Sequence, residues 1–338
     1  MPISSRTTLR SASRLGSALA ALALLALPTS SHAQAPWSLS IQADNDAFNF
    51  WQEPLERPDA EYSSGVRVAV TAARAPIWGR FVSEYEPCSG GETALQRCLS
   101  TTFAVGQKIY TPKYPPFSYA GWRDWRPYAG WLYGSMTARV GNRVSLHSTE
   151  IQLGVTGPLS LAEVAQRTAH RIAGYQAVPI GWETQIRNEA GIVLSYQYAR
   201  RLLDIGSRHG RVLDVIPAVG ASVGNVLTAA DGGIRARFGV NLSDPWQPAA
   251  RGGRKPLELY GLVGARQQAV ARNIFLDGNT VDPTRRVERV PGVGSYELGV
   301  GLRIGRLATS YQVVRSGREY RTGPSSHTYS SLIAGIEM

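Results

Sequence analysis

The sequence predicts an all-β protein: a transmembrane antiparallel β-barrel of about twelve strands with one short extracellular amphipathic helix. Three observations predict it. The chain opens with an export leader, its segments alternate with period two over about ten residues each, and the final segment alternates to the last residue.

The leader is read first. Arg6, Arg10 and Arg14 form a basic region, Leu15–Pro28 is apolar, and Ser31-His32-Ala33 supplies small residues for a cut after Ala33. Residues 1–33 are therefore expected to be a signal peptide, and residues 34–338 the barrel. The 338-residue chain has a formal net charge of +11, and removing the leader's three arginines leaves +8. No later apolar run approaches the ~20 residues of a membrane helix. Nucleic acid is set aside for an exported barrel. Cys88 and Cys98 are the only cysteines, and an exported chain favours a disulfide between them.

The strands follow from alternation. Ile234, Ala236, Phe238 and Val240 interleave with Arg235, Arg237 and Gly239. Tyr296, Leu298, Val300, Leu302 and Ile304 interleave with Glu297, Gly299, Gly301 and Arg303. A soluble sandwich also alternates, but long strands with charge on the polar face suit lipid outside and a polar lumen. Strands are expected to begin near Trp37, Glu61, Thr101, Pro127, Val144, Asn188, Gly210, Gly233, Leu257, Gly294, Arg306 and Thr328. An even count puts both termini in the periplasm. Parity then places Ala47–Ala60, Thr111–Arg126 and Gly157–Arg187 outside, and the cysteine loop and Ser243–Lys255 inside.

Ser160–Ile172 is expected to be the helix. Leu161, Val164, Ala165, Thr168 and Ile172 share one face, and Glu163, Gln166 and His170 the opposite one. Ser160 and Glu163 have capping-box spacing. His170 is titratable near neutrality and usable as a general base. At the end of the first strand, Ala43-Asp44-Asn45-Asp46 lies opposite Glu61-Tyr62-Ser63-Ser64-Gly65, and oxygen donors of this kind suit Ca²⁺. Each group alone also fits a solvated turn or helix face.

The motifs come in a fixed order. Asn45-Asp46, Tyr62-Ser63-Ser64-Gly65 and Gly106-Gln107-Lys108-Ile109-Tyr110-Thr111-Pro112 are followed by Arg126-Pro127-Tyr128-Ala129-Gly130-Trp131. Gly154-Val155-Thr156-Gly157-Pro158, Gln166-Arg167-Thr168-Ala169-His170, Gly181-Trp182-Glu183-Thr184-Gln185 and Asn188-Glu189 complete the series. Over roughly Ser38–Tyr198 the chain resembles the LpxR-type outer-membrane lipid A 3′-O-deacylases.

That resemblance implies a Ca²⁺-dependent ester hydrolase that releases the 3′-linked acyloxyacyl group of lipid A, with its site facing the outer leaflet. It implies His170 as the base that activates water, Asp46 with Asn45 beside it at the metal, Ser63 as the family's hydroxyl, and Gln166 one turn before the histidine. The family's basic residues in the third-to-fourth strand connection point to Lys113 and Arg126 for substrate. Glu163 and Glu183 are both open as partners of His170, and Ser63 or Ser64 as a nucleophile is the alternative to water. The expected partners are lipid A or lipopolysaccharide and the outer-membrane lipid, with no obligate protein partner. The rival functions are a barrel phospholipase acting on glycerophospholipids and a non-enzymatic porin.

Overall fold

The computed structural model of the chain describes residues 37–50, 61–72, 85, 88, 95–112, 124–173, 181–207, 210–246 and 257–338. The expected signal peptide and Lys113 lie outside the described residues. The strands, in chain order, are β1 (Trp37–Asn45), β2 (Glu61–Ala72), β3 (Cys98–Thr111), β4 (Ala129–Gly141), β5 (Ser145–Thr156), β6 (Ala190–Arg200) and β7 (Leu203–Ser207). They continue as β8 (Gly210–Gly224), β9 (Leu227–Val240), β10 (Leu257–Asn273), β11 (Gly292–Ile304), β12 (Leu307–Gly317) and β13 (Ser326–Glu337).

Neighbours in sequence pair antiparallel, β1 pairs with β13, and β6 pairs with β8, so the sheet closes on itself. The closed barrel has twelve strands, and β7 is one extra short strand. It lies along β8 just past the stretch that β6 occupies: Ala199 pairs with Ala218, then Leu203 with Val215. In effect β7 prolongs β6 after a break at Arg201-Leu202, which is why the alternation pattern read the two as one segment. Every expected start falls within three residues of the observed one except that of β9, which begins at Leu227 rather than near Gly233. Its first residues, Thr228-Ala229-Ala230-Asp231-Gly232, show no apolar alternation. They are held by backbone pairing to both β8 and β10.

The start of β1 meets the last residue through Trp37 N–H to Met338 O (3.1 Å) and Met338 N–H to Trp37 O (2.8 Å). We call that end of the barrel proximal and the opposite end distal. The outer surface is apolar: Ile41, Val66, Val68, Leu153, Ile192, Leu194, Phe238, Val240, Leu298 and Val300 are all exposed. The lumen carries the charge, compensated in pairs. Arg237 holds Asp214 through two bonds (3.0 and 2.5 Å), and Arg235 holds Glu297 likewise (2.6 and 2.7 Å). A charge inside a low-dielectric wall is tolerated when paired in this way. Two cavities of about 420 and 790 Å³ remain within the bore.

The distal mouth is filled. The short helix Ile274–Asp277 drops Ile274 and Phe275 onto Ala129, Trp131, Tyr133, Ile186 and Val193. Phe275 stacks on Tyr110 with ring centroids 4.3 Å apart. Beside them Arg126, wholly buried, binds Glu61 (3.0 Å) and Glu319 (2.9 Å) and lies over the Tyr110 ring. Tyr320 donates to the other Glu61 oxygen (2.9 Å). At the proximal end, Cys88 and Cys98 are joined by a disulfide.

Candidate active site

The remaining helix, α1 (Ala162–Ala173), lies against β3 and β4. A 3₁₀ turn, Gly157–Ser160, leads into it. Leu161 then takes a left-handed conformation (φ 58°), so the α-helix starts two residues later than Ser160. The expected capping box is corrected. The Ser160 hydroxyl donates back to Gly157 O (2.5 Å), and Glu163 pairs with Arg167 (2.8 Å). The entry is pinned from β3, where the Gln107 amide donates to Ser160 O (2.6 Å). Gly130 makes the approach possible, since a Cβ there would stand 2.0 Å from Ser160 Oγ and 2.3 Å from Ala162 Cβ.

The helix meets the barrel along Ala162, Ala165 and Gln166. Ala162 packs with Ile109, Tyr128 and Trp182, and Ala165 lies against that cluster. The Gln166 side chain is buried and accepts from Trp182 Nε1 (2.8 Å). The seam is thus rotated by roughly a quarter turn around the helix from the face that amphipathicity selected, and Val164 and Ile172 are exposed. Small residues at 162 and 165 let the backbone approach closely, and a branched Val164 in the seam would hold it off. His170, half-buried, follows Gln166 by one turn on the same side of the helix.

The outward surface near α1 is set by strand parity. On β1, Ile41 is outward and exposed, and Ala43 and Asn45 follow on the same side. On β2 the outward series runs Val68, Val66, Ser64. Asn45 pairs with Ser64, Ser64 with Ile109, and Ile109 with Gly130. One row across four adjacent strands therefore joins Asn45 to the residues on which α1 rests. Each of Asn45 and Ser64 lies about 7 Å along its strand from an apolar outward residue.

Ser63 is the extra residue of a β-bulge, because Tyr62 pairs with Tyr110 and Ser64 with Ile109. It is fully buried, and its hydroxyl donates to Ile109 O (3.3 Å). Bulges re-aim side chains at the ends of strands. The strand begins with strain as well: Glu61 sits at φ 64° and is held there by Arg126 and Tyr320.

Asn45 caps the turn Asp46–Phe48 by accepting from Ala47 N–H (2.7 Å), and Asp46 is buried. The chain then folds over β12 and β13. Asn49 donates to Thr328 O (3.0 Å) and accepts from Ser330 Oγ (2.7 Å), while Tyr311 OH donates to Phe48 O (2.7 Å). The turn covers one side of the β1–β2 outer surface, and α1 covers the other. Asp44 belongs elsewhere: it faces the lumen and accepts from Tyr62 OH (2.7 Å) and Ser331 Oγ (2.6 Å).

Three other residues singled out by the sequence are placed away from those expected roles. Arg126 does not reach the surface. Burial alone would weaken its charge, and the Glu319 and Glu61 carboxylates outweigh that and keep it protonated. Glu163 is engaged with Arg167, and Glu183 closes its own turn by accepting from Gly181 N–H (3.2 Å). Neither carboxylate is shown oriented on His170. Sequence reasoning missed Trp182 and Gly130 as the holders of α1, although both stood in the quoted motifs. Glu61, expected among the oxygen donors at the rim, is instead tied to Arg126 and Tyr320.

Further along, Glu189 ties three segments together. It accepts from Asn225 Nδ2 (2.8 Å), Asn279 Nδ2 (3.2 Å) and Thr280 N–H (2.7 Å). Partial burial would raise its pKa, but these bonds outweigh it and hold the carboxyl below its usual range.

The fold defines a closed, membrane-facing β-barrel with a plugged mouth and an external helix. The model of the family described as outer membrane protein LpxR matches residues 18–338, and the chain belongs to that family of integral outer-membrane barrels. Among solved structures, LpxR from Salmonella typhimurium is similar, with a TM-score of 0.69 and 18% identity over 88% of this chain and 99% of that one. The β domain of the Bordetella autotransporter BrkA is more distant, with a TM-score of 0.43 and 12% identity over 90% of this chain and 99% of that one. No curated protein matches the chain.

Proposed function

We propose that this protein is a lipid A 3′-O-deacylase that works on its outer wall, within the outer leaflet. The observation that carries the reading is the row Asn45–Ser64–Ile109–Gly130. It joins polar groups on β1 and β2 to the strand surface beneath the histidine-bearing helix, and it begins where the apolar outer surface ends. The acyl esters of a lipid lie at that same boundary between headgroup and hydrocarbon. The distal end is then the cell-exterior end, as an even strand count requires for periplasmic termini.

In the mechanism, His170 takes a proton from water as that water attacks the ester carbonyl carbon. The bond between that carbon and the sugar oxygen breaks, and the proton returns to the sugar oxygen. The products are a free 3′-hydroxyl and the acyloxyacyl carboxylate. Gln166 serves by fixing α1 on Trp182, so that the next turn presents His170. Asn45 shapes the Asp46 turn, and Ser63 lends a hydroxyl from the bulge.

The donor chemistry beside that turn suits Ca²⁺. Asp46 offers a buried carboxylate, with the Asn45 amide and the Ser63 hydroxyl on neighbouring strands, all hard oxygens. Among the described residues no cluster of three acidic, histidine or cysteine side chains is present. Carbonyls and water would therefore complete the shell around Asp46. When bound, the ion would polarise the ester carbonyl.

The test is mass spectrometry of lipid A after incubation with the purified protein. Loss of one acyloxyacyl unit that stops in His170→Ala and in chelator supports the reading. Unchanged lipid A with release of fatty acid from glycerophospholipids would replace it with the phospholipase reading.

A further inference from the structure

We infer that α1 is itself a membrane-seated element, with the stripe Val164–Thr168–Ile172 in contact with the acyl chains of the outer leaflet. The inference rests on the outer-membrane barrel and not on the lipid A reading.

The helix presents three kinds of surface. Ala162, Ala165 and Gln166 meet the barrel. Glu163 and Arg167 form a solvated pair on another side, with Arg171 exposed near them. The third side is apolar and exposed: Val164 is 61% exposed and Ile172 83%. Leu159, in the turn before the helix, is also exposed.

Such a stripe in water leaves apolar surface uncovered, which is unfavourable in proportion to its area. What surrounds it decides the occupant. The strand leading into the helix is β5, whose outward Leu153 is paired with the outward Ile192 of β6, and both are exposed in the apolar belt. From Leu153 the chain reaches Leu159 in six residues. The stripe is therefore continuous with the surface that already faces lipid. A helix with one apolar and one charged side, lying on that boundary, sinks its apolar side about 5–10 Å into the leaflet. Lipid on one side and β3–β4 on the other then hold His170 at the interface.

The chain supplies a clean probe site, since its only two cysteines are joined to each other. Val164→Cys, Ile172→Cys and Glu163→Cys, with Leu153→Cys as the belt reference, are labelled with an environment-sensitive fluorophore. The labelled proteins are refolded into phosphatidylcholine vesicles, with or without bromine on the acyl chains. Labels at 164 and 172 should be quenched by brominated chains to nearly the extent seen at 153. The label at 163 should respond several-fold more strongly to aqueous iodide. Equal iodide quenching at 163, 164 and 172 would place the helix in water and overturn the inference. Shielding of 164 and 172 from both quenchers, with cross-linking of Ile172→Cys between copies, would overturn it in favour of a second copy of this chain.

Discussion

Arg126 and Glu61 show how a residue's surroundings decide what it can do. Arg126 is a cation with no exposed surface, compensated by Glu61 and Glu319. Removing one partner of a buried pair strands the other. Arg126→Met should therefore lower barrel stability by about 3–5 kcal/mol in urea unfolding in detergent. Arg126→Lys should restore part of it, because a single guanidinium nitrogen, Nη1, meets both carboxylates and an ammonium can take that place. Equal stability of Arg126→Met and the parent would show the network to be dispensable. His170 tests differently. His170→Ala should cut deacylation by about 10²–10⁴-fold or more while leaving the folded barrel intact by circular dichroism. Glu189 sets a pH limit. Its carboxyl is held below the usual value, so its contribution is fully present above an ordinary carboxylate pKa of about 4.3 and is lost as pH falls through its lower folded value. Amide exchange at Asn279-Thr280 should accelerate in that acidic window, and Glu189→Gln should remove the dependence. Exchange that stays flat with pH in the parent would count against this staple.

At the scale of elements, α1 is governed by what permits close approach. Gly130→Ala introduces a methyl group into space held by Ser160 and Ala162. It should displace the helix entry and reduce deacylation, while the β-sheet signal and the unfolding midpoint stay near the parent's. Unaltered activity would mean that the entry is free to shift. The same helix shows what the sequence could and could not disclose. Its presence and its histidine were legible, because no strand accommodates the spacing of Leu161, Val164, Thr168 and Ile172. Its seating was not. Amphipathicity identifies the apolar side but assumes that this side meets protein, and in a membrane lipid takes that place. The barrel buries the small residues instead. Strand positions were legible wherever the outer face alternated. They slipped at β9, where Ala, Asp and Gly carry no apolar signal and the pairing is all backbone. The bulge at Ser63 was hidden for a related reason: a single extra residue changes register without changing composition.

For the whole molecule, the filled distal mouth separates this barrel from an open pore. Phe275, Ile274, Trp131 and Tyr133 occupy the bore, and the Arg126 network lies beside them. Planar bilayers containing the protein should show no steady conductance steps of porin size; regular steps would revive the porin reading. The lumen's paired charges then serve the wall rather than transport, and the proposed chemistry lies on the outside. Several ordered motifs made this arrangement legible as a family pattern, while the connection between them, one row of paired residues across β1 to β4, needed the register. Calcium dependence belongs at this scale too: chelation should abolish hydrolysis without loss of the barrel signal, and hydrolysis that persists in chelator would remove the metal.

The outward row has a kinetic consequence. An enzyme whose reactive groups open sideways into a leaflet meets its substrate by lateral diffusion in two dimensions. Its rate should follow the mole fraction of lipid A in the surface and fall when inert lipid dilutes that surface at constant bulk concentration. On the proposed function, saturation is then a property of leaflet composition, and changing what surrounds the barrel should throttle the activity with no effector binding to the protein.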